Sequence, residues 1–369
     1  MLTISHGHRR GFLKIGTAAF GGLTLANLLQ AKATAAASGG SFLRDRAVVV
    51  LNLQGGPTQF ETFDPNMQAP REIRSITGEI STSLPGITFG GTLPKLAALA
   101  DSLAVIRSYR HGISSHGPAA MHVMAGGNPT GAQMGSIYSR IAGLTDPQSG
   151  MPRNMLVTAH AVGDEFKKKK LYTNVGRLSQ TGTLPDVYRP FDPSAGGEIV
   201  DNMKLRIARN RLDDRRGLLN GLDSLRRQYS DTGLADASGS FQQQAFDVLL
   251  KGVARAFDLG QETPETLARY DTSMMETTDA VKKRNSYGAM FSPVALGRQM
   301  LFARRLIESG CGFVTVGNGG WDMHGGGKEF RVDDGLATLL PAVDKAVSAF
   351  IQDIAERGLS DKVLLVITG

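Results

Sequence analysis

Short apolar runs, separated by amphipathic segments, constrain the fold of this chain more than any other feature. Runs rich in Val, Leu and Ile and bounded by turn residues are typical of buried strands. Apolar residues at helical spacing over 294–310 and 336–357 predict amphipathic helices between the later runs. The predicted strands are residues 47–53, 103–106, 313–316 and 362–368. Strands that alternate with helices, without tandem repeats, indicate a single α/β domain.

The first predicted strand ends abruptly at Gln54-Gly55-Gly56-Pro57, which reads as a sharp turn. Hydroxyl and carboxylate groups follow at once at Thr58, Glu61 and Asp64. Ligands of open α/β sheets lie outside the carboxyl ends of the strands, so this loop is a candidate site. The alternative is a core strand and its turn, with the acidic side chains facing water.

A second polar segment carries His111, His116 and His122. Histidine supplies proton transfer and metal ligation near neutral pH, so three histidines near one predicted strand end favour a site there. A helical histidine in a context of small residues is, however, often structural.

A third segment holds Asp322-Met323-His324 between glycines, directly after a predicted strand. Side chains two residues apart in extended backbone project to the same side, so both could reach one ion. Oxygen and nitrogen ligands suit zinc, manganese or iron. Trp321, the only tryptophan, is expected to wall the pocket. The alternative is an Asp–His hydrogen bond that holds a loop.

Cysteine content and charge exclude several classes of protein. Cys311 is the only cysteine, which rules out an intramolecular disulfide and cysteine-based zinc or iron–sulfur sites. The formal net charge is +7, and four of these charges lie in the first 37 residues, which contain no acid. The mature chain is therefore only weakly basic, and without a nucleic-acid-binding motif we expect no nucleic-acid partner.

Residues 1–37 predict a removable export signal. Residues 8–14, HRRGFLK, contain twin arginines followed by Phe-Leu-Lys, and an apolar stretch and small residues come next. The expected partner is the twin-arginine export machinery, and the expected location is the periplasm or the cell surface. The apolar stretch is short and rich in glycine, so we expect no stable membrane span in the mature chain. The alternatives are an uncleaved anchor or a basic amphipathic arm.

Five segments of the mature chain resemble a known family, the twin-arginine-exported domain-of-unknown-function 1501 family. These are GGPTQFETFDP (55–65), LPKLAALADSLAVIRSYRHG (93–112), HGPAAMHVMAGG (116–127), ARRLIESGCGFVTVGNGGWDMH (303–324) and LPAVDKAVSAFIQDIAERGLSDKVLLVITG (340–369). The family is placed in the alkaline phosphatase-like superfamily with sulfatases, phosphomutases and phosphodiesterases. The resemblance implies a mostly parallel sheet sandwiched between helices, with metals at its carboxyl edge. The expected domain spans residues 42–369, with a loop and helical insertion at about 165–292 that includes helices over 203–229 and 241–259.

The resemblance also implies roles for individual residues. Asp322 and His324 match the family's Asp-Thr-His, while Glu61 or Asp64 would replace the metal-binding Asp expected at Gln54 or Gly55. His116 falls where the superfamily's nucleophile would be. Family members continue beyond residue 369 with Glu-Phe-Gly-Arg-Thr-Pro, so the domain is expected to be incomplete at its carboxyl end.

Together these inferences predict an exported, metal-dependent hydrolase of small phosphate or sulfate esters. The divalent metal would be zinc, manganese, calcium or magnesium, held by Asp322, His324 and Glu61 or Asp64. His116 would act as an acid/base or as a further ligand, and Thr58 would offer a hydroxyl nucleophile. The expected substrate-binding residues are His111, His122 and Trp321. The alternative is a non-catalytic envelope or surface binding protein that keeps the fold.

Overall fold

The computed structural model describes residues 46–167, 175–194, 253–284, 293–325 and 329–369, together with isolated positions within 30–34 and 210–218. The predicted export signal lies outside the continuous described ranges. The predicted helix over 203–229 also lies outside them. So does most of the helix over 241–259, of which residues 253–257 form a 3-10 turn.

A four-stranded parallel sheet forms the centre of the described chain. Its strand order is β4-β5-β1-β6, and every neighbouring pair runs parallel. A separate antiparallel pair joins β2 to β3. The strands are β1 (Ala47–Leu53), β2 (Glu79–Ser81), β3 (Thr88–Gly90), β4 (Asn154–Val157), β5 (Phe313–Asn318) and β6 (Val363–Thr368). The predicted α/β class with a mostly parallel sheet is therefore confirmed.

Helices pack around this sheet. They are α1 (Pro94–Ala98), α2 (His116–Ala125), α3 (Met134–Ala142), α4 (Asp164–Lys167), α5 (Pro264–Tyr270), α6 (Asp279–Arg284), α7 (Ala295–Glu308) and α8 (Val332–Glu356). Both α3 and α7 contact β4 and β5. In α7 and α8 the buried Leu, Val, Met and Phe residues follow the helical period, as predicted. Within the described ranges, no helix combines the length and the apolar character needed to cross a membrane.

The strand predicted over residues 103–106 is wrong. These residues follow a 3-10 turn and join no sheet, and the side chains of Val105 and Ile106 are 41% and 69% exposed. A four-residue apolar run does not specify a strand by itself, because pairing with a neighbouring strand decides the outcome. The fourth position in the sheet is taken by β4, whose residues are all buried.

A buried arginine joins helices α5, α7 and α8 within the core. Arg304 of α7 is 1% exposed, and its guanidinium binds Glu262, Glu308 and Asp353. The Nε–Oδ2 distance to Asp353 of α8 is 3.0 Å, and Tyr270 of α5 donates a hydrogen bond to the same carboxylate. A buried charge is tolerated only when it is paired in this way, so the network fixes how α5, α7 and α8 meet.

Candidate functional site

The turn after β1 lies against the loop after β5. Gln54 donates its backbone N–H to the Asn318 carbonyl at 2.7 Å, and Trp321 donates its N–H to the Gln54 carbonyl at 3.0 Å. Gly55 has φ +120°, and a Cβ at this position would overlap the backbone nitrogen of Asp322. Only glycine allows both the positive φ and the close approach. The two loops therefore form one surface at the carboxyl edge of the sheet.

The carboxylate of Asp322 lies between two imidazoles. Its Oδ2 is 3.0 Å from Nε2 of His116, and its Oδ1 is 3.0 Å from Nε2 of His324. The contact with His116 is a hydrogen bond, and because an ionised carboxylate only accepts hydrogen bonds, Nε2 of His116 is its donor. The side chain of Asp322 is 10% exposed, against 38% for His116 and 64% for His324. The carboxylate thus forms the floor of the site, and the imidazoles reach towards solvent.

Two different elements bring these side chains together. Asp322 and His324 follow β5. As their two-residue spacing predicted, the two side chains lie close enough to reach one ion. His116 is the first residue of α2 and lies 206 residues away from Asp322 in the sequence. The contact between them shows that the second and third polar segments meet at the same edge.

A third acidic residue completes a group that could hold a metal ion. Asp322, His324 and Glu329 each offer one ligand atom, and these atoms all lie within 4.8 Å of one another. Gly325, which follows His324, donates its N–H to the carbonyl of Phe330, which follows Glu329, at 3.1 Å, and this bond brings Glu329 close to His324. The sequence analysis did not identify Glu329, because no local pattern links it to His324.

Glu61 is buried, but its carboxylate holds a neighbouring loop. It is 3% exposed and accepts four hydrogen bonds: from the hydroxyls of Ser75 and Thr77 and from the backbone N–H groups of Ile76 and Thr77, at 2.6–3.2 Å. These bonds occupy both carboxylate oxygens. Glu61 is not among the three residues of the Asp322 group, and its carboxylate holds the loop of Ser75–Thr77; metal binding by Glu61 stays a prediction.

The other two candidates from this loop are also engaged elsewhere. Asp64 pairs with Arg107 at 3.3 Å on a partly exposed surface. Thr58 caps the short 3-10 helix Gln59–Glu61, and its Oγ1 accepts the Phe60 N–H at 3.3 Å. The structure does not bring Asp64 into the Asp322 group, and the Thr58 hydroxyl has a structural partner.

Trp321 lies beneath the site instead of lining its opening. Its side chain is 1% exposed, and Nε1 donates a hydrogen bond to Asn318 Oδ1 at 2.9 Å. A buried indole with its N–H satisfied is a packing anchor. Trp321 therefore fixes the β5 loop that carries Asp322.

The two remaining candidate residues, His111 and His122, form a small cluster of rings with Tyr109. The ring centroids of His111 and His122 are 6.2 Å apart, and those of Tyr109 and His111 are 6.4 Å apart. Tyr109 is 56% exposed, and Nδ1 of His111 accepts the Ile113 N–H at 3.1 Å. The cluster flanks the loop that leads to His116, and substrate binding by His111 and His122 stays a prediction.

Comparison with known proteins places the chain in a family. The model of a family described as "Protein of unknown function (DUF1501)" matches residues 45–369, which include the sheet, the site and every strand described above. No curated protein and no solved structure gives a significant match. The match covers most of the chain and agrees with the motifs around Gly55, His116 and Asp322. The chain therefore belongs to the DUF1501 family.

Proposed function

We propose that this protein is an exported, metal-dependent hydrolase of phosphate or sulfate esters with an alkaline phosphatase-like fold. The observation that carries the proposal is the Asp322 carboxylate, held at 3.0 Å by both His116 and His324, with a Glu329 oxygen in the same 4.8 Å group. The cluster lies where ligands of parallel α/β sheets are usually found, beyond the carboxyl ends of the strands.

The donor set fits a divalent transition metal. Two carboxylates and one imidazole suit zinc or manganese, whereas calcium and magnesium prefer oxygen ligands alone. Asp322, His324 and Glu329 would hold the ion. A metal bound there would polarise an ester oxygen and lower the pKa of a water molecule. His324 can ligate only through an unprotonated ring nitrogen, so metal uptake should compete with protons.

His116 is the residue best placed to move a proton. Its Nε2 donates to Asp322, which fixes the ring orientation, and its side chain is 38% exposed. An imidazole oriented by a carboxylate and open to solvent is a suitable general acid/base. We assign protonated His116 the transfer of a proton to the leaving ester oxygen through its other ring nitrogen, Nδ1, while the contact of Nε2 with Asp322 holds the ring in place.

The proposed export rests on the twin-arginine pattern at residues 8–14. This pattern favours passage by the twin-arginine machinery to the periplasm or cell surface. Residues 55–65, 116–127 and 303–324 resemble the DUF1501 family, and the expected place of that family in the alkaline phosphatase-like superfamily supports the ester substrate class.

A second candidate function is a non-catalytic envelope or surface binding protein. One observation favours it: the Thr58 hydroxyl, the candidate nucleophile, caps a 3-10 helix. The resemblance adds that His116 falls where the superfamily's nucleophile would be. A metal site that orders the loops would then serve binding alone.

Hydrolysis assays on the purified chain separate the two functions. We expect zinc- or manganese-loaded protein to cleave an aryl phosphate or an aryl sulfate, with the activity removed by a chelator. His116→Asn should lower kcat about 100-fold or more, the usual contribution of a general acid. Asp64→Asn, which removes the partly exposed carboxylate that pairs with Arg107, is the matched control and should leave kcat unchanged. Metal-replete protein without activity on either ester would refute the hydrolase and leave the binding function.

A further inference from the structure

The backbone of Arg177 is fixed beside the candidate site. Arg177 lies in the 3-10 helix Val175–Ser179, which contacts both α2 and β5. Gln133 donates its Nε2–H to the Arg177 carbonyl at 2.6 Å, and the next residue, Leu178, is fully buried. The exposed side chain of Arg177 therefore projects from a well-anchored position.

The guanidinium of Arg177 lies across the first turn of α2. Gly117 is the second residue of that helix, and a Cβ built on it would overlap Nη1 of Arg177 and lie 3.2 Å from Nη2. The preceding residue, His116, makes the 3.0 Å contact with Asp322. The guanidinium therefore lies against the helical residue that directly follows His116.

This guanidinium has no anionic partner within the described ranges. No ion pair or hydrogen bond of its side chain occurs there, whereas Arg107, Arg153 and Arg269 each pair with a carboxylate. The first turn of a helix also carries positive partial charge, so α2 does not compensate the cation. Among the described residues the guanidinium is therefore free to bind an anion that enters the site.

We propose that Arg177 binds the anionic group of the substrate and so makes the site selective for phosphate or sulfate monoesters. This inference rests on the proposed hydrolase function. A guanidinium presents two parallel N–H groups that match two oxygens of a tetrahedral anion. A phosphate or sulfate monoester has three non-bridging oxygens, so two can bind the guanidinium while the third stays available for a metal ion. Arg177 is thus a binding residue that determines specificity, and His116 remains the acid/base.

Gly117 provides a test that keeps every charge in place. In Gly117→Ala the added methyl group takes the space of the guanidinium, which can swing away because it is the end of a flexible side chain. Alanine is favoured over glycine within a helix, so the variant should fold at least as stably as the parent. The displaced guanidinium of Arg177 should nevertheless no longer bind the anion.

The experiment is titration of the full chain with inorganic phosphate, and separately with sulfate, by calorimetry. We expect at least one of these anions to bind, and binding to weaken about tenfold or more in Arg177→Gln, as for loss of a charged hydrogen-bonding pair. Gly117→Ala should weaken it similarly, and the double variant should add nothing further. Arg269→Gln is the control, because Arg269 pairs with Glu356 at the far end of α8 and should leave binding unchanged. On an ester substrate, Arg177→Gln should raise KM more than it lowers kcat.

The outcomes separate this inference from the hydrolase proposal. Anion binding that depends on Arg177 without any hydrolysis supports the inference and refutes the hydrolase. Hydrolysis with an unchanged KM in Arg177→Gln refutes the inference alone. Absence of phosphate and sulfate binding, or an equal loss in Arg269→Gln, also overturns it.

Discussion

Gly55 lies so close to the backbone of Asp322 that no side chain fits between them. A Cβ on Gly55 would overlap the Asp322 nitrogen and lie 2.6 Å from the Trp321 carbonyl carbon. This contact joins the turn after β1 to the loop after β5, and it places the carboxylate of Asp322 at the carboxyl edge of the sheet. The first loop therefore contributes its backbone to the site, while the acidic side chains of that loop serve other purposes.

Gly55→Ala should displace Asp322 and weaken metal binding. The substitution combines a positive φ, which costs about 1–3 kcal/mol for a residue with a side chain, with a collision against backbone. Gly56→Ala is the matched control, because Gly56 also has a positive φ (+94°) but has nothing within 4 Å of its added Cβ. Denaturant unfolding and metal titration should show a larger loss for Gly55→Ala in both quantities. Equal losses in the two variants would show that the contact with Asp322 is unimportant.

Glu61→Gln should destabilise the fold without removing the metal. The amide NH₂ of glutamine cannot accept hydrogen bonds, so donors among Ser75, Ile76 and Thr77 would be left unsatisfied. We expect a loss of about 2–4 kcal/mol in the free energy of unfolding. Asp64→Asn, at a partly exposed pair, should cost about 1 kcal/mol or less. If Glu61→Gln keeps full stability but loses the metal, Glu61 is a ligand after all.

The buried network around Arg304 should make the protein sensitive to acid. Burial raises the pKa of Glu262, but hydrogen bonds and charge from Arg304 and Arg305 outweigh it and hold that pKa below the ordinary value of 4.5. The ion pairs of Glu262 with Arg304 and Arg305 therefore stabilise the folded state above pH 4.5. This contribution is lost as the pH falls through the lowered pKa of Glu262. Glu262→Gln should be less stable at pH 7 and should show a shallower decline below pH 4.5. Urea unfolding at several pH values measures both effects. If the free energy of unfolding depended on pH in the same way for the parent and for Glu262→Gln, the role of Glu262 in acid sensitivity would be contradicted.

Cys311 should be unreactive while the protein is folded. The thiol is 1% exposed, and burial raises its pKa to about 12, so almost no thiolate forms at pH 8. A maleimide or disulfide reagent should label the native chain only on the timescale of unfolding and label the denatured chain at once, with one thiol per chain. Rapid stoichiometric labelling of the native protein would show that this part of the core is open.

Local patterns were sufficient to predict the central elements of the fold. Valine- and leucine-rich runs identified β1, β5 and β6, and helical spacing of leucines identified α7 and α8, because burial alone fixes these features. The run at 103–106 failed since pairing with a neighbouring strand, which the sequence does not display, decides whether a short apolar segment becomes a strand.

The site was predictable where spacing is local and was missed where it depends on tertiary contacts. The two-residue spacing of Asp322 and His324 indicated that their side chains meet. The role of Glu61 depends on donors 14–16 residues away in a polar loop without a regular pattern. Glu329 depends on the hydrogen bond from Gly325 to Phe330, which only the folded loop reveals.

The central claim is that Asp322, His324 and Glu329 bind one divalent ion. Calorimetric titration of the metal-free chain with zinc, and then with manganese, tests it most directly. We predict one ion per chain for the parent and for Glu61→Gln, and an affinity at least about tenfold lower for Asp322→Asn and for Glu329→Gln. Stoichiometric binding of unchanged affinity in Asp322→Asn, or absence of binding by the parent chain, would contradict the account.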